Sequence, residues 1–264
     1  MHPPRPISSP FFALLLAIAP PLVCQTPPTL PMAGPAQDDR AAPPPGPALP
    51  RVAGEIDPGA VRTELRAELG IGRLEIASQD GPAVALHLAG SGCGELLGLG
   101  IDVNLIGSVG ELGEFDSPGL TARISPFLSV GARSDDDDWT IRLRLGPEFV
   151  HIGAGDELYA EYDGIGGRLD VDAMLRLHAG ESYTVEGYLG LGFGMGSGDG
   201  SAGNGFAEVE FDDDHATLDV ELGLGFRSGG SVFSVAYVHQ DVSLDEADAS
   251  AIFDGIMLGW RARF

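Results

Sequence analysis

The sequence contains no lysine. All 15 of its basic residues are arginine, against 39 Asp and Glu, and the net charge is -24. That balance excludes nucleic acid as a natural partner, because phosphate binding takes a basic face. It suits cations or basic partners instead. Cysteine is almost absent: Cys24 and Cys93 are the 2 in 264 residues, so no disulfide framework is expected. Beyond the N-terminal segment no apolar run reaches the eighteen or so residues that a membrane-spanning helix needs.

What is present begins with an export signal, assigned to residues 1–24. Arg5 precedes a short apolar core from Phe11 to Ala19, too short to span a bilayer as a helix. The alternative is a buried core segment. Val23 stands before Cys24, where a lipid-attachment box takes a small residue, so lipidation is not expected. Residues 25–57 are rich in Pro and Ala and show no apolar period, as in an extended, disordered linker. The remaining domain is 58–264.

Period two dominates that domain. Apolar residues alternate in runs starting at Leu97, Leu120, Trp139, Leu169, Val185, Leu218, Phe233 and Ile256. The Phe233 run has an ambiguous face, since Val232 and Val238 are apolar too. Connections alternate between long (110–118, 153–167, 196–215, 242–252) and short (133–138, 179–182, 228–230). Residues 57–95 are open. Asp57 and Pro58 can cap a helix carrying Val61, Leu65 and Leu69 on one face. The same letters alternate as a strand, followed by the turn "SQDGP" and a second run at Val84, Leu86 and Leu88. Eight or ten strands result, with ten favoured because the hairpin's apolar residues otherwise have no home.

The final stretch, GIMLGWRARF, alternates to its end and carries Gly259, Trp260 and a terminal Phe264. It resembles the C-terminal insertion signal of bacterial outer-membrane β-barrel proteins, of the small OmpA type. Met257 and Ala262 depart from that signal, which has a polar residue and a larger apolar one there. The strand rhythm extends the resemblance over 97–264. It implies an all-β, up-and-down antiparallel transmembrane β-barrel with long outer loops and short periplasmic turns. It also implies residence in the outer membrane, with outer-membrane lipid and the barrel-assembly machinery as partners.

Alternation alone fits a soluble lipocalin-like barrel equally well, with the apolar face turned inward. The polar face argues for the membrane orientation. It mixes Arg123, Glu186 and Arg227 with much glycine, and glycine makes room for arginines in a narrow lumen. A lumen charge network is expected from Arg142, Arg144, Asp170, Asp172, Arg176, Asp219, Glu221 and Arg261, paired where little water enters.

No cofactor is expected. The four long connections hold sixteen acids and no arginine, so weak, diffuse binding of divalent cations is expected, densest at Asp212, Asp213 and Asp214. His151, His215 and His239 each stand near an acid in sequence (Asp156, Asp214, Asp241). Outer-membrane hydrolases such as the omptin proteases keep His and a carboxylate at the outer rim, with His as base. No serine motif accompanies them here, and no residue is assigned a catalytic role. The leading expectation is a structural or surface-interaction barrel with a side-chain-filled lumen. A rim hydrolase and a lipocalin-like binder are the alternatives.

Overall fold

Alternating apolar and polar residues give each segment after Thr63 one greasy side when extended. The computed structural model describes residues 63–92, 97–115, 117–134, 138–156, 158–180, 182–204, 206–245 and 247–263. These form β1 (Glu64–Ile76), β2 (Gln79–Gly92), β3 (Leu97–Ser108), β4 (Leu120–Arg133), β5 (Trp139–Gly155), β6 (Tyr159–Ala179), β7 (Thr184–Gly203), β8 (Glu208–Ser228), β9 (Ser231–Leu244) and β10 (Ala249–Arg263). Each pairs antiparallel with its chain neighbours, and β1 closes on β10 from Glu64↔Arg263 to Ile76↔Ala251. Closure removes the free edges that would otherwise invite aggregation. The export signal, the Pro-rich linker, both cysteines and Phe264 lie outside the described residues.

The open choice at 57–70 falls to strand from Glu64 onward. As a strand it sends Leu65, Leu69 and Ile71 outward, and puts Arg66 and Glu68 inside among partners. The β1–β2 turn is two residues long, with Ala77 and Ser78 both at positive φ, the type I′ geometry that matches strand twist. At the β8–β9 turn Gly229 takes φ +60 in the first turn position.

Much of what the sequence suggested as long loops is strand. β5 and β6 run on until 156–158, β7 and β8 until 204–207, and β9 and β10 until 245–248. The β3–β4 connection, 109–119, remains a loop, and it folds back on itself. Leu112 is fully buried and bridges to Phe115, with Gly110 at φ +91 and Gly113 at φ +58 turning the chain.

Along the terminal-end part of the cylinder the outer face is apolar. Leu69, Leu99, Leu128, Leu145, Met195, Leu222 and Leu258 are all exposed there. Trp139, Tyr183, Phe233 and Trp260 mark the end where the barrel's own termini lie. On β5 the outward apolar row runs from Trp139 to Phe149, about 33 Å of strand at ~3.3 Å per residue, or about 25 Å of height once tilted.

Above that belt the pattern inverts with no break in strand direction. On β5 the inward residues change from Arg142, Arg144 and Glu148 to Val150, Ile152 and Ala154, and the outward ones from Leu145 to His151. β1 changes from outward Ile71 to inward Leu74 and Ile76, and β9 from outward Tyr237 to inward Val238, Val242 and Leu244. The distal lumen is therefore an apolar core, closed by Leu74, Phe253, Tyr162 and the loop residues Leu112 and Phe115.

Two irregularities mark the wall: the β6–β7 register shifts between Arg176 and His178, and the β4–β5 pairing is interrupted. Pro126 of β4 and Pro147 of β5 fall opposite each other, and the pairing runs from Ile124↔Phe149 straight to Leu128↔Leu145 without the three positions between. Proline has no N–H to contribute to a ladder.

Candidate functional site

The strongest concentration of chemistry lies inside the cylinder, at the level of the outer apolar belt. Strand alternation brings a charged residue inward from nearly every strand there. Arg168 of β6 is the hub. It donates from Nη1 to Glu148 at 2.8 Å, from Nε to Asp170 at 2.9 Å, and from Nη2 to Asp219. Arg123 of β4 grips Asp219 from the other side, with Nη1 at 2.9 Å and Nη2 also bonded. Glu148 is fully buried and accepts the Thr217 hydroxyl at 2.9 Å. Gly192 makes this possible, since a Cβ there would lie 2.0 Å from the Arg168 guanidinium.

A second cluster adjoins the first through Asp170, which sits 4.0 Å from Arg144. Arg144 donates to Asp102 at 3.0 Å, lies 3.0 Å from Asp172, and stacks over Phe127 at 5.3 Å. Both ring nitrogens of His87 meet carboxylates, Glu68 at 2.9 Å and Asp102 at 3.0 Å. Arg66 completes the run, 2.8 Å from Glu68 and bonded to Glu221. Nearer the terminal end, Arg142 and Arg261 each lie 3.3 Å from Glu64. Every buried charge named has an opposite neighbour, as burial requires.

Where this network meets the apolar core, His215 Nδ1 lies 2.8 Å from the Tyr162 hydroxyl. Its Nε2 points toward Glu148 at 4.0 Å without a hydrogen bond. Gly164 and Gly196 leave the space that the His215 ring occupies. Gaps between the lumen side chains are small. About 80 Å³ lies beside Arg66, Arg144 and Glu221, and about 20 Å³ between Asn104, Leu74 and Phe253. The latter has room for little more than one water.

No family model matches the chain, and no curated protein matches it in sequence. Solved structures do. The outer membrane protease OmpT from Escherichia coli superposes with a TM-score of 0.50 at 8% identity, over 81% of this chain and 99% of that one. The fold is that of a bacterial outer-membrane β-barrel. The translocator domain of the autotransporter NalP from Neisseria meningitidis is also similar (TM-score 0.36, 10% identity, 77% of this chain and 88% of that one). So is the attachment invasion locus protein Ail of Yersinia pestis (TM-score 0.31, 16% identity, 77% and 99%).

Of the eight lumen residues expected from sequence, the outer-membrane-type barrel brings Arg142, Arg144, Asp170, Asp172, Asp219, Glu221 and Arg261 inside, each within ion-pair distance of another lumen charge. Arg176 stands apart at the terminal-end mouth, bonded to Asp138 at 3.0 Å. The expectation missed four buried members: Glu68, His87, Glu148 and Arg168.

The acidic triplet does not converge. It lies within β8, where alternation turns Asp212 and Asp214 outward and Asp213 inward, and the buried Asp213 accepts the Ala247 N–H at 2.8 Å. Gly259 and Trp260 lie toward the terminal end of the β1–β10 seam, opposite Glu68 and Ala67.

The expected histidine–acid pairs also change partners. Alternation points His215 inward and Asp214 outward, so they face opposite sides of the wall. His239 meets Asp254 at 2.9 Å across the β9–β10 pair, and Asp254 also accepts the Tyr237 hydroxyl at 2.6 Å. His151 meets Asp163, directly opposite it on β6, at 3.0 Å. That bond raises the His151 pKa, and hydrogen bonding from Tyr237 and His239 lowers that of Asp254, against the opposing pull of partial burial. Both pairs sit on the outer wall one row above the apolar belt.

Proposed function

We propose that this protein is an integral outer-membrane barrel that conducts nothing and presents an acidic, strand-built collar to the exterior. The observation that carries this reading is the inversion of the apolar face along the strands. Below it the wall follows membrane rules, apolar outside and charged inside. Above it the wall follows the rules of a water-soluble barrel, apolar inside and polar outside. A cylinder built this way stands in a bilayer and projects beyond it. The resemblance at its C-terminal strand supports the same location, as does the fold it shares with outer-membrane barrels. It makes outer-membrane lipid and the barrel-assembly machinery its partners there.

Two plugs in series support a closed lumen, one ionic and one apolar. The collar's outer face carries Glu161, Asp163, Asp199, Glu210, Asp212 and Asp214, a surface suited to cations or basic partners. Refolded protein in planar bilayers should show no steady conductance, and the 109–119 loop should be open to protease added to intact cells. A stable open pore, or recovery of the protein in the soluble periplasm, would overturn the reading.

The rim-hydrolase alternative starts from His151, His215 and His239. His151 and His239 pair singly with Asp163 and Asp254 on the outer wall, and His215 alone gathers further polar partners, Tyr162 and Glu148. The geometry disfavours it, since the side chains of His215 and Glu148 are 0% exposed and Tyr162 closes over them. Peptide hydrolysis lost in His215→Ala would restore that alternative.

A further inference from the structure

The outer wall just above the apolar belt carries a group that the lumen does not use. His151 of β5 stands directly opposite Asp163 of β6, with Nδ1 3.0 Å from Oδ1. Glu161, two residues along β6, is on the same outward face and lies opposite Gly153. One ligand atom from each of His151, Glu161 and Asp163 lies within 4.8 Å of the other two.

Gly153 supplies a second, independent observation. A Cβ built there would sit 3.2 Å from His151 Nε2 and 3.6 Å from Cε1. The imidazole thus leans into the space a side chain at 153 would occupy, beside Glu161. Nδ1, the nitrogen that faces Asp163, is the one placed to share a cation with that carboxylate, in place of the hydrogen bond between them.

The surroundings favour a cation strongly. Asp163 stands opposite Asp199 of β7, and Asp199 opposite Asp212 of β8, so three carboxylates occupy adjacent outward positions of one row. Like charges directly opposite across strands repel. Among the described residues of β5–β8, no arginine faces outward above the belt. We propose that His151, Glu161 and Asp163 form a binding site for a first-row divalent cation of the zinc type. One imidazole with two carboxylates suits such ions better than calcium or magnesium, which take oxygen ligands alone. The ion ties β5 to β6 where they leave the belt and offsets the repulsion along the acidic row. Three protein ligands leave at least one position open to water.

The test uses the full chain, refolded in detergent without a histidine tag, in a Cys24→Ser, Cys93→Ser background so that thiols contribute nothing. Zinc titration by calorimetry should give one saturable site that survives 0.5 M salt. His151→Ala and Glu161→Gln should each weaken it roughly tenfold or more. Gly153→Val, which removes no ligand but displaces the ring, should weaken it too. Heat-modifiability on gels checks that each variant folds, and Glu161→Gln carries the test if His151→Ala does not. Unsaturable binding that fades with salt, or unchanged affinity in His151→Ala and Glu161→Gln, would overturn the proposal. The surface reading proposed above would survive that failure, because closed conductance and location are measured separately.

Discussion

The two halves of the lumen fill the same cylinder by opposite means. At the level of the apolar belt the interior is salt: Arg168 among Glu148, Asp170 and Asp219, then Arg144, His87 and Arg66 with their acids. A few residues further along the same strands it is oil: Leu74, Val150, Ile152, Tyr162 and Phe253. The outer wall changes in the opposite sense at the same place. A strand offers two faces, and burial of one side chain in every two is needed whichever solvent surrounds the barrel. Where hydrocarbon is outside, apolar residues are spent on the wall and ionic pairs must fill the middle. Where water is outside, the economical filling is apolar.

The largest test of this contrast is to remove the ionic hub. Arg168→Met should leave Glu148, Asp170 and Asp219 crowded without their shared cation, destabilising the barrel by about 3–5 kcal/mol. Urea unfolding of protein refolded into lipid vesicles measures it. A loss under about 1 kcal/mol would mean that water reaches the network and screens it.

Next in size is one substitution type made on both sides of the inversion. Leu145→Arg, in the middle of the belt and now 64% exposed, should cost about 2–4 kcal/mol. Asp199→Arg, outward on the collar between Asp163 and Asp212, should be neutral or stabilise by up to ~1 kcal/mol because it replaces a repulsive neighbour. The same vesicle unfolding assay compares them. Equal costs at the two sites would remove the distinction between belt and collar.

The smallest expected effect concerns Asp254, on the collar wall between Tyr237 and His239. Its pKa is lowered, chiefly by the hydrogen bond from Tyr237. A depressed carboxylate contributes stability that is fully present above its ordinary value and is lost as pH falls through the depressed one. Asp254→Asn should therefore match the wild type in strong acid, where the carboxyl is protonated folded and unfolded alike, and fall slightly behind it above about pH 5. Its half-exposed side chain keeps the difference small. Thermal melts at the two pH values give the comparison, and a deficit larger in acid would contradict the assigned partners.

The barrel was legible in the sequence wherever the outward face alone is apolar. The runs at Leu97, Trp139, Leu169, Val185, Leu218 and Ile256 each fall within a strand, and ten strands form as the hairpin at 65–88 suggested. The reading failed where the apolar residues change parity. On β5 they sit at odd positions up to Phe149 and at even ones from Val150, so the alternation breaks and the letters beyond it read as a loop. Glu148 and Arg168 lie beside such points and went unseen for that reason. The ambiguity at Val232, Phe233 and Val238 was the one visible trace, an inward face turning apolar before the outward face had ceased to be. Asp212, Asp213 and Asp214 looked like a cluster because three acids in a loop can converge, whereas in a strand they cannot. Partners from distant strands, such as Glu68 for His87 or Asp163 for His151, depend on register, which a single sequence does not carry.

The opposed prolines of β4 and β5 have a mechanical consequence. A closed cylinder resists being squeezed into an ellipse because every line of contact between neighbouring staves must bend together. Pro126 and Pro147 leave one such line untied over three positions, just below the distal edge of the apolar belt on β5. Flexing there gives up no hydrogen bond that the prolines could have made. If the barrel stands in a bilayer as proposed, thinning or uneven pressure should deform this joint more readily than its fully paired neighbours, with Glu148 of the ionic hub beside it.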